Sequence, residues 1–223
     1  MGVFDTLRHL SGPLSQKQVD SINAILRECE GLPPRHLAYI LATVVHETGP
    51  SNSVLHLTPR YEIWGPTNTQ IKYEGRADLG NSRPGDGYRF RGRGYVQLTG
   101  RANYAHASQK LGVDFEGQPD LALDIRHAAK ILVRGMIEGW FTGKKLSDYE
   151  SFVDMRRIVN GTDRAELIAG YADKLLSSTV ASEMKAPKVE PQLEPTTPSH
   201  ASRIDANSNL FVKIINFILS IFR

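Results

Sequence analysis

The stretch LAYILATVVHETG, residues 37 to 49, organises the rest of this chain. It is largely apolar for nine residues and then reaches His46 and Glu47, which can transfer protons. With a helical period, Ile40, Val44 and Glu47 share one face, so the carboxyl group lies at the end of an apolar stripe. Removal from water favours a protonated carboxyl group, the form that a general acid needs. The same stretch fits a polar residue that only closes a core helix.

The composition is that of an ordinary globular protein. The chain has 223 residues, of which 40% are hydrophobic and 23% are charged, enough for one domain with a core and an appendage. The net charge of +3 suits an anionic partner, and nucleic acid, an acidic wall polymer and anionic lipid all remain open. The single cysteine, Cys29, excludes an intrachain disulfide.

Periodicity and capping signals predict a mainly α domain over residues 1–182. Between Gly49 and Gly100 the helical period disappears, and only residues 95–98 suggest a strand. A loop region of about fifty residues is unusually long, which favours a binding surface. We therefore expect at most a small sheet and a long irregular face. The predicted helices are 15–30 with Ser15 as cap, 34–47, 101–111, 124–138, 148–159, and a last helix from Asp163 with a capping box to Glu166.

The C-terminal part of the chain differs in composition from the rest. Residues 183–206 are rich in proline, serine, threonine and charge, which predicts a flexible linker. Residues 207–223 predict an amphipathic helix, because LFVKIINFILSIFR at 210–223 has one narrow polar stripe. This helix would be roughly 21 Å long, short of the ~30 Å hydrocarbon core. We expect contact with a membrane interface or a partner; folding back on its own domain is the alternative.

Several carboxylates in the irregular region could act together with Glu47. An inverting glycosidase holds its two carboxyl groups roughly 6.5 to 9.5 Å apart, so that a water molecule fits between acid and base. Glu62, Glu74 and Asp86 are the candidates for the second group. Each of them could instead pair with one of the arginines that are frequent in this region.

The run GDGYRFRGRGYVQLTGRANY, residues 85–104, combines glycines, aromatics and neutral polar groups. The glycines permit close backbone approach, and neither phosphate-binding glycine motif is present. We expect the aromatic rings to stack on sugars and the polar groups to bind them. These residues are Tyr88, Phe90, Tyr95, Tyr104, Gln97, Thr99 and Asn103.

Two of these stretches resemble glycoside hydrolase family 19, the chitinase family that also includes phage and bacterial peptidoglycan hydrolases. They are HETG at 46–49 and GRGYVQLTGRANY at 92–104. PDLALD at 119–124, GWFTGKKLSDY at 139–149 and RRIVNGTD at 156–163 resemble its microbial, endolysin-type branch. The resemblance covers about residues 15–178 and implies a lysozyme-like α+β fold.

The resemblance implies a single-displacement mechanism without metal or other cofactor. Glu47 corresponds to the general acid and Thr99 to the residue that holds the attacking water. Glu62 matches the P-x-x-E pattern of related microbial chains and is expected to be the base, with Glu74 as the alternative. The expected substrate-binding residues are His46, Tyr95, Gln97, Asn103, Tyr104 and Asn160.

Three other functions compete with this interpretation. A metallopeptidase could use His46 and His56 as ligands, although the spacing is not H-E-x-x-H. A wall-binding protein could have kept the fold and lost the chemistry. Nucleic acid could bind the arginines of the irregular region, but the interleaved glycines suit a cleft lining better, so we expect no nucleic-acid partner. These arginines are Arg83, Arg89, Arg91, Arg93 and Arg101.

The motifs leave chitin and peptidoglycan open as substrates, since both are β-1,4 polymers of N-acetylated sugars. The cationic tail and the lack of a preceding cysteine-rich chitin-binding module favour peptidoglycan. The N-terminus, MGVFDTLRHLSG, has no signal-peptide pattern. We therefore expect a protein that stays cytoplasmic until its release to the cell envelope, and a phage-encoded enzyme acting in the host periplasm fits this. We also expect a monomer.

Overall fold

Helices dominate the part of the chain that the computed structural model describes, residues 2–49, 55–63 and 68–183. They all lie in one structural unit. In chain order the helices are α1 (Val3–Ser11), α2 (Gln16–Glu28), α3 (Pro34–Glu47), α4 (Asn68–Ile71), α5 (Asp86–Arg89), α6 (Arg101–Leu111), α7 (Ile125–Glu138), α8 (Phe152–Met155) and α9 (Ala165–Glu183). Strands β1 (Arg60–Tyr61) and β2 (Arg93–Gly94) pair antiparallel, with Arg60 opposite Gly94 and Tyr61 opposite Arg93. The predicted mainly α fold with a small sheet is confirmed.

Helix α3 lies in the hydrophobic core. Residues 38–45 are all buried, and the helix contacts α9 and α7. Pro34 occupies its first turn, where a missing backbone N–H costs nothing and the fixed φ favours the helix. A helix that is apolar on all sides is stable only inside a protein. Burial of α3 therefore determines where its last residue, Glu47, lies.

A second hydrophobic cluster lies behind the small sheet and is built around α6 and α7. An ion pair holds α5 against the start of α6: Arg101 Nε donates to Asp86 Oδ2 at 2.9 Å. Asp86 is only 2% exposed, and the Arg101 guanidinium holds the pKa of that carboxyl below its usual value. Asp86 is thus a structural residue, although its sequence position made it a candidate catalytic carboxylate. The hydrophobic cluster around α6 and α7 consists of Phe90, Leu98, Tyr104, Ala107, Phe115, Ala122 and Ile131.

Local sequence signals correctly placed the start of α2 and the bounds of α6. Ser15 caps α2 as predicted and forms the reciprocal capping box with Gln18. The helix predicted at 124–138 is α7, and Asp124 is its cap, accepting the backbone N–H groups of Arg126 and His127. The cap of α2 could be predicted because a cap needs only the side chains within one turn of the helix end.

The structure differs from the predictions at four places. Helix α1 was not predicted. The strand expected at 95–98 is a turn, because Gly94 and Gln97 both have positive φ, at 92° and 57°. The helix expected at 148–159 is reduced to α8 and a 3-10 turn, Arg156–Ile158. The last helix begins at Ala165 rather than after Asp163, because Arg164 adopts a left-handed conformation with φ 59°.

The predicted linker and amphipathic helix lie outside the described residues, apart from Glu183 at the end of α9. Within the described ranges, no helix has both the length and the hydropathy needed to cross a bilayer.

Gly135 in α7 permits a close contact with Phe141. A β-carbon at this position would lie 2.3 Å from Phe141 Cζ. We expect Gly135→Ala to lower the free energy of unfolding by about 1 to 3 kcal/mol, since overpacking outweighs the gain in helix propensity. Gly170→Ala in α9 is the matched control, because a β-carbon there meets nothing within 4 Å. It should stabilise by about 0.5 to 1 kcal/mol. Urea unfolding of both variants measures the difference, and equal effects would contradict the packing argument.

The Asp86–Arg101 pair predicts a pH dependence of stability. Asp86→Asn removes the buried carboxylate from the Arg101 guanidinium, which keeps its more exposed ion pair with Glu116 at 2.8 Å. It should lower the free energy of unfolding by about 1 to 3 kcal/mol at pH 7. Because the pKa of Asp86 is depressed in the folded protein, this contribution is full above pH about 4 and disappears as the pH falls further.

Urea unfolding at pH 7 and at pH 3 should therefore show a smaller gap between wild type and Asp86→Asn at the lower pH. Asp154→Asn is the control, since Asp154 forms only an exposed pair with Arg157 at 3.7 Å and should cost under about 1 kcal/mol. A gap that stays constant with pH would mean that the charge of Asp86 is not what stabilises the fold.

Candidate active site

The carboxyl group of Glu47 is held at the end of α3 by a buried arginine. Arg156 Nη1 donates to Glu47 Oε1 in an ion pair. The Arg156 side chain is 3% exposed and that of Glu47 is 20% exposed, so the carboxylate reaches solvent from one side only. Arg156 Nε also donates to the carbonyl of Asp163 at 3.0 Å. One guanidinium therefore fixes both the acid and the segment that leads into α9.

The chain turns sharply after Glu47, around the buried side chain of Thr48. Thr48 Oγ1 donates to the carbonyl of Val44 at 2.7 Å and accepts the backbone N–H of Leu57 at 3.0 Å. The backbone N–H of His56 donates to the Thr48 carbonyl at 3.3 Å. These bonds tie the segment that leads to β1 to the end of α3.

His46 lies beside Glu47 and lines a pocket of about 330 Å³. Burial lowers the pKa of His46, and the charge of Glu47 opposes this effect. A lowered pKa favours the neutral imidazole near pH 7. His46 then offers a hydrogen-bonding group without adding a positive charge to that of Arg156, which binds the neighbouring Glu47. The other lining residues are Val45, Gly49, Arg164, Leu167 and Tyr171.

Glu62 directly follows β1 and is oriented by the segment before β2. Its backbone N–H donates to the carbonyl of Gly92 at 2.8 Å. Its side chain accepts the Tyr73 hydroxyl at 3.1 Å and the Gly92 N–H at 3.1 Å. Burial and the charge of Glu62 raise the pKa of Tyr73, so its phenol keeps the proton that it donates.

Glu74 has a different environment. Its Oε1 accepts the backbone N–H of Gly85 at 2.6 Å and its Oε2 that of Gly87 at 2.8 Å. Both oxygens are thus used at the start of α5, where the first backbone N–H groups need acceptors. Gly87 also has to be glycine, because a β-carbon would lie 2.8 Å from the Glu74 backbone nitrogen. These contacts give Glu74 a structural task.

The segment from Gln97 to Asn103 crosses the small sheet and brings Gln97 next to Glu62. Gln97 Nε2 donates to the carbonyls of Arg60 and Gly94, both at 3.2 Å. A β-carbon on Gly92 would lie 2.7 Å from Gln97 Oε1 and 3.2 Å from Glu62 Cβ. The missing side chain of Gly92 therefore makes room for both.

Thr99 and Asn103 continue this hydrogen-bonded segment. Thr99 Oγ1 donates to the carbonyl of Gln97 at 2.8 Å. The exposed Asn103 donates through Nδ2 to the carbonyl of Thr99 at 2.7 Å. Asn160, also exposed, accepts the N–H of Gly161 at 2.9 Å and donates its own N–H to the carbonyl of Arg156. It thus lies in the turn that follows the arginine bound to Glu47.

Two tyrosines predicted to bind sugar are core residues instead, which corrects the sequence analysis. Tyr95 packs in the main core and its hydroxyl bonds to Ser21 Oγ. Tyr104 is fully buried, and its hydroxyl donates to the carbonyl of Arg91 at 2.9 Å. Burial raises the pKa of both phenols to about 12. Phe90 is buried as well, so Tyr88 is the exposed ring of the predicted four.

Backbone strain is concentrated in the segments that carry these side chains. Among the described residues, Leu57, Gln97 and Arg164 are the non-glycine residues with positive φ. Leu57 follows the Thr48 turn, and Arg164 follows the carbonyl that Arg156 binds. Such residues cost about 1 to 3 kcal/mol each and occur mostly where function requires the geometry.

The sequence analysis missed Arg156. The arginine lies in the RRIVNGTD segment, from which only Asn160 was assigned a role. Its position four residues before Asn160 was visible, but the ion pair with Glu47 spans 109 residues and has no local signal. In the described part of the chain, no group of three or more His, Cys, Asp and Glu side chains is arranged to hold a metal ion.

Comparisons with known proteins bear on the family resemblance and on the fold. No family model matches the chain. A glycosyl hydrolase family 19 domain-containing protein of Haemophilus influenzae is 33% identical over 90 residues, which are 40% of this chain and 42% of the relative. The chain thus matches less than half of that protein's length.

A solved structure covers more of the molecule. Chitinase C from Streptomyces griseus HUT6037 superposes with a TM-score of 0.54 over 78% of this chain and 76% of the chitinase, at 17% sequence identity. At this identity the likeness shows the fold alone. The described domain therefore has a chitinase-like α-rich fold, and the sequence relative supports the resemblance to glycoside hydrolase family 19.

Proposed function

We propose that this protein is a glycosidase that cuts β-1,4 bonds between N-acetylated amino sugars of peptidoglycan by single displacement. The observation that carries the proposal is the environment of Glu47. A partly exposed carboxyl group ends a buried helix and is bound by a buried arginine, and the neighbouring His46 lines a pocket. The chitinase-like fold and the family 19 relative support a glycosidase.

Glu47 is the proton donor in this mechanism. Arg156 binds Oε1, and no hydrogen bond of Oε2 is found among the described residues. The pair fixes the direction of the carboxyl group and leaves Oε2 to carry the proton to the leaving glycosidic oxygen. A group held in one orientation loses little entropy when the substrate binds, which lowers the barrier.

Glu62 is the base that activates water on the opposite face of the sugar. The Tyr73 hydroxyl and the Gly92 N–H orient its carboxylate, and Gln97 lies against the same glycine. Glu74 fits this task less well, because backbone N–H groups occupy both of its oxygens. Thr99, two residues after Gln97, is proposed to hold the water.

Peptidoglycan is proposed over chitin on the basis of charge. The protein carries a net charge of +3, and peptidoglycan bears carboxylates that chitin lacks. The alternative is a chitinase, since the similar solved structure is described as one. The products released from each polymer distinguish the two.

Removal of the acid should abolish hydrolysis. Because it also leaves the buried Arg156 guanidinium without its carboxylate, it should lower stability, and thermal unfolding is measured to show that the variant is folded. We expect wild-type protein to release soluble sugar fragments from purified peptidoglycan, with masses that show a cut β-1,4 bond. Glu47→Gln keeps the shape of the side chain but cannot supply the proton, and should lower the rate by about 10²-fold or more. Mass spectrometry of the peptidoglycan products identifies the bond that is cut and gives the rate of each variant, and a chitin-oligomer assay is run beside it.

Glu28→Gln is the control, since Glu28 ends α2 and lies outside the proposed site. Lysis by Glu47→Gln at the wild-type rate would disprove the role of this residue. Faster cleavage of chitin oligomers than of peptidoglycan would favour the chitinase.

A matched pair of variants tests the choice of base. Glu62→Gln should reduce the rate by about 10²- to 10⁴-fold and change stability little. Glu74→Gln should lower the free energy of unfolding by about 1 kcal/mol, because it weakens the contacts at the start of α5, and should retain activity. Steady-state rates and thermal unfolding of both variants provide the comparison. The reverse result would make Glu74 the base.

A further inference from the structure

A second, larger pocket opens beside the small sheet. Its volume is about 580 Å³, and arginines supply most of its charge. We call it the arginine pocket. Its lining residues are Tyr88, Arg89, Arg91, Arg93, Gln118, Pro119 and Asp120. The proposed mechanism uses none of them.

One of the three arginines has a structural task. Arg93 is buried and its Nε donates to Asp120 Oδ1 at 2.8 Å. Its Nη1 donates to the carbonyls of Arg89 and Arg91 and to the Tyr104 hydroxyl. Arg93 and Asp120 therefore offset each other's charge within the lining of the pocket.

The other two arginines keep an uncompensated charge. Arg91 Nη1 donates to the carbonyl of Tyr88 at 2.9 Å. Arg89 Nη2 donates to the carbonyls of Glu116 and Gly117 at 3.2 and 2.8 Å. In the described residues neither guanidinium forms an ion pair with a carboxylate. Two cations in one concave site attract an anionic ligand.

Aromatic rings hold Arg91 in a fixed orientation. Its guanidinium carbon lies 4.1 Å from the centroid of the Tyr88 ring and 4.9 Å from that of Tyr61. These rings are themselves exposed, 54% for Tyr88 and 41% for Tyr61. A planar guanidinium held between rings presents its edge for two parallel hydrogen bonds to a carboxylate or phosphate. The exposed rings offer apolar surface to a sugar.

The arginine pocket adjoins the proposed base. Tyr61 directly precedes Glu62, and Arg91 directly precedes Gly92, whose N–H donates to Glu62. Tyr61 lies in β1 and stacks on Arg91, and Glu62 directly follows β1. A ligand that contacts the Tyr61–Arg91 pair is therefore held next to the segment that carries the base.

We propose that the arginine pocket binds an acidic substituent of a wall polysaccharide, a carboxylate or phosphate carried on an N-acetylated sugar. The inference rests on the proposed function and deepens it, because such a pocket selects an anionic wall polymer over neutral chitin. The acidic Asp120 within the lining disfavours nucleic acid, because it would repel a continuous phosphate backbone.

Binding to purified peptidoglycan sacculi tests the pocket. The full chain with Glu47→Gln is used throughout, so that the polymer stays intact. Adding Arg91→Gln or Arg89→Gln should weaken co-sedimentation at low salt about tenfold, because one charge-assisted contact is lost, and should reduce the salt dependence. Binding to colloidal chitin should not change.

Arg126→Gln is the matched control, since it removes the same charge from an exposed arginine of α7 that lies 3.7 Å from Asp124. Sacculi stripped of phosphate polymers and sacculi with amidated carboxyl groups separate the two anions, because only the treatment that removes the ligand should weaken binding. Thermal unfolding shows whether the variants are folded. If Arg91→Gln does not fold, Arg89→Gln tests the pocket in its place.

Equal binding of the pocket variants and Arg126→Gln would overturn the proposal. So would an equal loss of binding to chitin, or a tenfold weaker binding of a DNA duplex caused by the pocket variants and not by the control. These outcomes are independent of catalysis. Absence of hydrolysis by the wild type would refute the proposed function, whereas unchanged sacculus binding by the pocket variants would refute the arginine pocket alone.

Discussion

The ion pair between Glu47 and Arg156 is the interaction on which the candidate site depends. Glu47 ends the buried helix α3, and Arg156 begins the 3-10 turn that follows α8, more than a hundred residues later. A buried guanidinium needs a carboxylate and further acceptors to offset its desolvation. Glu47 and the Asp163 carbonyl supply them. Core packing and active-site geometry are therefore coupled, since a shift of α3 against α9 would also move the proposed acid.

The small sheet organises the other side of the site. Two residues in each strand are too few for a stable sheet in isolation, and its stability comes from the side chains that cross it. Gln97 bonds to both strands, and Arg93 ties β2 to Asp120 and Tyr104. Gly92 leaves the space in which Glu62 and Gln97 lie together. A long irregular region can hold a defined geometry in this way.

The distribution of arginines separates structural from binding tasks. Arg93, Arg101 and Arg156 are paired with carboxylates and are largely buried, whereas Arg89 and Arg91 donate only to backbone carbonyls among the described residues. The sequence shows five arginines between residues 83 and 101 and does not distinguish these groups. The two arginines without a carboxylate partner among the described residues are the ones proposed to bind an anionic ligand.

The sequence by itself determined most of the long helices and the position of Glu47 at the end of one of them. The cap of α2, the bounds of α6 and the position of Glu47 after an apolar run all follow from patterns within a few turns of the chain. Only the tertiary structure showed that Tyr95 and Tyr104 are core residues, that Glu74 is occupied by α5, and that Arg156 holds the acid. The hydroxyl of Tyr95 meets Ser21 across 74 residues, and Arg156 meets Glu47 across 109. Contacts of that separation are set by how helices pack, and no local pattern of residues encodes them.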